Sequence, residues 1–180
     1  WEVKSGERAK PGMGGHWLGA NVTKDVAQVR GIHEGTYALS PCRYDDVQTP
    51  EDMKHMVDFL RNATDYKYPI LFKLGPSRPY ADVAACIEAG ADAISIDGLV
   101  GGTGCSPDLV TQGVGIPTIA CIPPAVQALK DYGVHRKVKL IALGGIRNGL
   151  DSFKALAMGA DAVGFGSAAE VAMGGRVCYA

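Results

Sequence analysis

No stretch of this chain approaches the roughly 18 consecutive apolar residues that a membrane-spanning helix requires. The first residues, Trp1-Glu2-Val3-Lys4, carry neither a methionine nor a signal-peptide pattern. The cytoplasm is therefore the expected compartment, with no membrane partner. An excess of one charge is also missing: 18 Lys+Arg stand against 19 Asp+Glu, for a formal net charge of -1. With no basic face and no charged block, nucleic acid is not an expected partner and small molecules are. Cysteine is sparse and scattered. The five residues Cys42, Cys86, Cys105, Cys121 and Cys178 are odd in number and form no C-x-x-C pair, which argues against a disulfide framework and a self-contained zinc site. No metal ligand set is assigned.

What is present is the composition of one ordinary globular unit: 180 residues, 47% hydrophobic and 21% charged. Short apolar stretches bounded by turn residues, at 69–74 (PILFKL), 92–97 (DAISID), 138–143 (VKLIAL) and 161–165 (DAVGF), read as strands buried on both faces. Helical patterns lie between them at 50–62, 79–89, 122–132 and 149–158. The first of these opens on Thr49 as N-cap with Pro50 behind it. Alternating β and α predicts a parallel sheet, either a barrel or an open doubly wound sheet. Glu88-Ala89-Gly90-Ala91-Asp92-Ala93-Ile94 is echoed by Ala157-Met158-Gly159-Ala160-Asp161-Ala162-Val163. Each is a helix end, a glycine cap and the next strand, the mark of a repeated unit.

Two of the strands, one helix apart, end in glycine turns: Gly144-Gly145, and Gly164-Phe165-Gly166-Ser167. In a βα fold the chemistry lies at the carboxyl ends of the strands, and a phosphate site is often built from two successive loops there. Glycine lets the backbone approach an anion closely, and helix starts supply free N–H donors. The pair of turns therefore predicts a phosphate site.

The stretches AKPGMGGHWLGANVTKDVAQVRG (9–31), ALSPCRYDDVQTPEDM (38–53), GGTGCSP (101–107) and GFGSAAEVAMG (164–174) resemble the FMN-binding synthase domain of glutamate synthase, in its archaeal-type and glutamate synthase-like form. The likeness runs through nearly the whole chain, in order. It implies an α/β fold of the (β/α)8 TIM-barrel type, with residues 1–180 supplying the later strands and helices of the barrel as a portion of a longer polypeptide or complex. It also implies bound FMN and the reduction of 2-iminoglutarate, formed from 2-oxoglutarate and ammonia, to L-glutamate.

Carried over residue by residue, the resemblance puts Lys73, at the end of the PILFK strand, beside the pyrimidine side of the flavin as a catalytic and cofactor-binding group. Gly98, Gly144, Gly145, Gly164, Gly166 and Ser167 match cofactor-binding positions. Arg147 is placed either to add a charge-assisted contact to the phosphate or to be solvated at a helix start. A dicarboxylate substrate needs cations for both ends, and Lys4, Lys10 and Arg30 fall at the family's 2-oxoglutarate positions. His16 stands where the family has a glutamine and joins the substrate-binding set. The loop with Gly101, Gly102 and Thr103 faces the reacting centre in the family. Asp97, the one carboxylate beside it, is either catalytic or a turn-capping aspartate. Cys105, where the family usually carries alanine, reads as a small buried side chain or a thiol nucleophile. Cys42 departs from the family's proline-and-histidine run.

Iron–sulfur binding wants several closely spaced thiolates. Only Cys178 falls near the family's cluster positions, and Gly175 stands where a cysteine is expected. A cluster is therefore expected only in further sequence or a partner subunit, as are the glutaminase and electron-donor parts. An incomplete barrel exposes two sheet edges, which predicts an oligomer or complex. Three functions follow: a glutamate synthase-type oxidoreductase, a relative that uses another amine to form a product of the N-methylglutamate type, or a non-catalytic flavin-binding or assembly module.

Overall fold

The computed structural model describes residues 1–4, 9–12, 14–102 and 106–175. Five parallel strands form its centre: β1 (Glu2–Lys4), β4 (Leu71–Leu74), β5 (Ala93–Asp97), β6 (Lys139–Leu143) and β7 (Ala162–Val163), in that spatial order. A short antiparallel pair, β2 (His16–Trp17) and β3 (Ala38–Leu39), stands apart from this sheet. Among the described residues there are seven α-helices: α1 (Lys24–Arg30), α2 (Pro50–Ala63), α3 (Pro79–Glu88), α4 (Asp108–Gly113), α5 (Thr118–Asp131), α6 (Gly149–Ala157) and α7 (Ser167–Ala172). None is long and apolar enough to cross a membrane.

Each strand of the large sheet adds on the same side of the one before it. A doubly wound sheet reverses direction at a switch point. Right-handed crossovers without a reversal leave every helix on one face, so the sheet is an arc of a (β/α) barrel.

The two faces of that arc divide by residue type. Ile70, Phe72, Ile94, Ile96, Leu140 and Ala142 point outward and are buried. They pack with Val57 of α2, Val83 and Cys86 of α3, Cys121, Ile122, Ala125 and Leu129 of α5, and Ala155 of α6. The opposite, inner face carries residues matched in register. One layer is Leu71, Ala93 and Lys139, and the next is Lys4, Lys73, Ser95, Ile141 and Ala162. In-register side chains share a face because strand side chains alternate, which gives the layered interior of a barrel. A cavity of about 560 Å³ opens on this face toward the amino ends of the strands.

Local chemistry explains the boundaries. At the start of α2, Thr49 Oγ1 accepts from the Asp52 N–H at 3.2 Å, while Asp52 Oδ2 accepts from the Thr49 N–H at 2.9 Å, a reciprocal capping box. Helix α5 begins four residues before the expected 122 and carries Pro123 and Pro124 inside it. A proline in a helix removes its own N–H bond to the residue four back, here to the carbonyls of Ile119 and Ala120. The interruption stays within the first two turns, and Thr118 ahead of it remains helical.

The repeated motif has a repeated structure at the amino ends of the strands. Asp92 Oδ2 accepts from the Ile70 N–H at 2.7 Å and lies 3.0 Å from Arg61 Nη2. Asp161 Oδ2 accepts from the Leu140 N–H at 2.9 Å, and its Oδ1 lies 2.7 Å from Arg136 Nη1. In both copies the aspartate of the shared Gly-Ala-Asp ties the start of its own strand to the start of the previous one.

Candidate functional site

At the carboxyl ends of the strands the buried polar groups gather. Among the described residues the buried polar or charged side chains are Lys10, Ser95, Asp97 and Thr118. Asp97 closes β5, and its Oδ2 lies 3.2 Å from Nζ of Lys73 on the neighbouring strand, both side chains less than one-fifth exposed. Lys10 reaches in from the segment before β2. Its Nζ donates to the Leu99 carbonyl and, at 2.9 Å, to that of Gly101. Burial pushes the Lys10 ammonium below its usual range, and the nearby Asp97 carboxylate partly opposes that shift. Lys4, at the end of β1, is in register with Lys73, and its backbone carbonyl accepts from Tyr44 Oη at 2.8 Å. Lys73 and Lys10 thus converge on the strand ends around one carboxylate, while Lys4 is exposed.

The glycine turns sit beside this cluster. Gly144 follows β6 with φ at +89°, and a side chain there would bring a Cβ 2.7 Å from the Gly98 carbonyl oxygen. Only glycine fits both the angle and the approach. Gly98 is as tightly placed, because its own Cβ would lie 2.2 Å from Thr118 Oγ1. Gly101 backs onto Asp97, with Oδ1 2.1 Å from where a Cβ would stand, and Gly102 lies over Ala9 and Lys10. Gly145 faces Val100, and Gly164 packs on Leu143. Gly166, by contrast, has nothing within 4 Å of where its Cβ would stand, leaving room in front of it.

The two helix starts that follow these turns differ. The first turn of α6 is closed by its own side chains: Asn148 Oδ1 accepts from the Asp151 N–H at 3.0 Å, and Asp151 Oδ2 accepts from the Arg147 N–H at 3.2 Å. Arg147 Nε also donates to Asp151 Oδ2 at 3.1 Å, with the Arg147 side chain exposed. At the start of α7, no side chain caps Gly166 and Ser167.

The remaining predicted site residues lie further out. Arg30, at the exposed end of α1, holds its guanidinium 5.2 Å from the centre of the Trp17 ring, a cation–π contact. His16, in β2, lies 5.6 Å ring to ring from Tyr37. The structure therefore brings Lys10, Lys73, Asp97 and the Gly98, Gly101 and Gly144 turns together, and gives Arg30, His16 and Arg147 partners of their own. Thr103, with Gly104 and Cys105, lies outside the described residues, as does Cys178. Cys42 is exposed. Cys86 and Cys121 are buried, and burial pushes their thiols up to about 12 and about 11, so both serve as packing groups.

One residue of the cluster escapes the sequence reading. Thr118 Oγ1 lies 2.6 Å from the carbonyl oxygens of both Leu143 and Gly144. A helix start placed at 122 leaves it outside the helix. A signal is present in Pro117-Thr118, an extended residue followed by a small hydroxyl residue at a helix start.

The glutamate synthase large subunit-like protein of Rhizobium meliloti is 49% identical over 173 residues, which cover 96% of this chain and 39% of that protein. The archaeal glutamate synthase (NADPH) of Archaeoglobus fulgidus is 42% identical over 178 residues, 98% of this chain and 35% of that protein. The chain thus spans little more than a third of the length of these relatives. Among solved structures, a mutant flavocytochrome b2 with pyruvate bound covers 76% of this chain and 29% of its own, at 23% identity and a TM-score of 0.48, and adds nothing to the strand order. The family model described as "Conserved region in glutamate synthase" matches residues 1–180, and with that match the chain belongs to the glutamate synthase family.

Proposed function

We propose that this chain is the flavin- and substrate-binding part of an FMN-dependent oxidoreductase that reduces 2-iminoglutarate, from 2-oxoglutarate and ammonia, to L-glutamate. The observation that carries the reading is the convergence of Lys10, Lys73 and Asp97 on strand ends whose next loops are glycine turns. The relatives are named glutamate synthases, which supports the same class of reaction.

The residues present suit FMN. Gly144 and Gly145 form a turn that side chains would fill, and Gly166 and Ser167 start a helix with open space in front. A phosphate would rest between these two turns, against backbone N–H groups. When bound, the flavin supplies two electrons as a hydride. The protein's part is charge and orientation. Lys73 offers a fixed positive charge, and Asp97 holds that ammonium in place from the adjacent strand. Gly98 lets the loop after β5 pass close to the site. Lys4, Lys10 and Arg30 would engage the carboxylates of the substrate, Arg in two-pronged fashion and Lys as point charges. Gly101, Gly102 and Thr103 would form the loop over it. Arg147 would have to leave Asp151 to reach the phosphate. The glutaminase and electron-donor functions, and any iron–sulfur cluster, would belong to further sequence or to partner subunits.

A second reading keeps the flavin and changes the amine. It rests on His16, which packs against Tyr37 where a glutamine is expected from the family pattern. Both readings are tested on the purified full chain. Flavin released on denaturation should be FMN in stoichiometric amount, and supplying 2-oxoglutarate, an electron donor and ammonia should give glutamate. Preference for methylamine over ammonia in direct competition would select the second reading. A colourless folded chain that FMN does not reconstitute would leave a non-catalytic module.

A further inference from the structure

Helix α5 begins where the two loops of the site meet. The segment leading into it binds the β5 loop, since the Leu99 N–H donates to the Ile116 carbonyl at 2.8 Å. Its first residue, the buried Thr118, binds the β6 loop, since the single hydroxyl proton is shared between the carbonyls of Leu143 and Gly144, each at 2.6 Å. Between them lies Gly98, whose N–H donates to the same Leu143 carbonyl at 3.1 Å and whose Cα faces Thr118 Oγ1 and N. Lys10 in turn donates to the carbonyls of Leu99 and Gly101, which follow Gly98 in the same loop.

The Thr118 hydroxyl is thus the one side-chain group in the described residues that bonds the carbonyls on which the Gly144-Gly145 turn hangs. We propose that Thr118 is a positioning residue that holds this turn in its phosphate-accepting shape and fixes it against the Asp97-Gly98 strand end. The inference rests on the FMN reading above. Thr118 touches no ligand in this arrangement and acts through the backbone of Gly144. Its effect should therefore fall on the part of the ligand that the turn would hold, the phosphate, and not on the isoalloxazine ring.

That distinction sets the test. Affinities of the full chain for FMN and for riboflavin, which lacks the phosphate, are measured by flavin-fluorescence quenching for wild type, Thr118→Val and Thr118→Ser. Thr118→Val keeps the shape and removes the hydroxyl. It should weaken FMN binding about tenfold, the scale of one hydrogen bond, and leave riboflavin within about twofold of wild type. Thr118→Ser, which restores the hydroxyl, should recover FMN binding to within about threefold, because the same hydrogen bond can form. Should Thr118→Val not fold, Thr118→Ala removes the same hydroxyl without a second methyl near Gly98, and the same ratio is read from it. A variant lacking the hydroxyl that keeps the wild-type preference for FMN over riboflavin, or loses both ligands equally, overturns the proposal and leaves the FMN reading standing. A wild-type chain that binds neither flavin overturns both.

Discussion

At the amino ends of the strands, Asp92 and Asp161 each accept a backbone N–H from the preceding strand and face an arginine. At the carboxyl ends, Asp97 faces Lys73, with Lys10 near enough to feel its charge and Lys4 beside Lys73 in register. At the amino end each carboxylate has an arginine of its own and also binds a strand start, Asp92 through the single oxygen Oδ2 and Asp161 through its two oxygens separately. The carboxyl end has more cations than its one carboxylate matches. Such a surplus at a buried strand end is costly unless an anion completes it, which is what a bound dicarboxylate or a reduced flavin would do. On the function proposed above, the same types of side chain would serve stability at one end of the barrel and chemistry at the other, and substitutions should separate the two.

The largest separation is expected at Lys73. Lys73→Met keeps the stem of the side chain and removes the charge, and turnover in the full chain should fall about 100- to 1000-fold, as for other electrostatic groups at a reacting centre. The melting temperature should fall as well, because the buried Asp97 loses the ammonium 3.2 Å away, so turnover is compared on the folded fraction. Turnover within a few-fold of wild type would break the comparison at its strongest point. Next is Gly144→Ala. With φ at +89° and the Gly98 carbonyl in the way, a methyl group strains the turn by about 1–3 kcal/mol, so FMN affinity should drop about 10- to 100-fold. Fluorescence titration measures it, and unchanged affinity would remove the turn from the cofactor site.

The amino end should answer in stability alone. Burial works to raise the Asp161 carboxyl, but the Leu140 N–H, Arg136 and Lys139 outweigh it and hold the group below its ordinary value of 3.8. A carboxyl depressed in the folded state stabilises fully above its unfolded value, and that contribution is lost as pH falls below 3.8 through the folded value. Asp161→Asn should cost about 1–2 kcal/mol at neutral pH, from one hydrogen-bonded charge at a strand start. It should also flatten the acid side of the stability profile. Urea unfolding at several pH values measures both, and the flavin affinity of the folded fraction should match wild type.

Much of this division is legible in the letters. The Gly-Ala-Asp echo marks the amino-end unit because its spacing is covalent: helix end, glycine cap, aspartate and strand follow one another within seven residues. The strands between 69 and 163 are legible for the same local reason, as is α2 from its Thr49 cap. What the letters do not show is what converges from far away. Lys10 lies 89 residues from the Leu99 carbonyl it binds, and only the folded path of the chain brings them together. Thr118 escapes notice because the helical pattern is placed at 122–132, whereas the helix starts at Thr118 and tolerates Pro123 and Pro124 in its second turn. The small β2–β3 pair, with the cluster of Val22, Ala27 and Ala38 beneath it, is too short for its periodicity to stand out.

The smallest effect is expected at Arg147, and there the comparison can be sharpened most. This residue stands at the carboxyl end, where cations are in surplus, yet it is paired as the amino-end arginines are, with a carboxylate four residues on. Asp151 holds it through the side-chain Nε and the backbone N–H alike, and the carboxyl is kept below its ordinary value chiefly by that arginine hydrogen bond. An exposed pair of this spacing contributes little to stability, because solvent screens it. Arg147→Ala should therefore leave stability nearly unchanged and weaken FMN binding by no more than about threefold, since a cation that must first leave its partner gains little by moving to another. Loss of FMN affinity by tenfold or more, with riboflavin unaffected, would instead show that the phosphate outcompetes Asp151. The arginine would then belong with Lys73 and Lys10, as a charge whose partner arrives with the ligand.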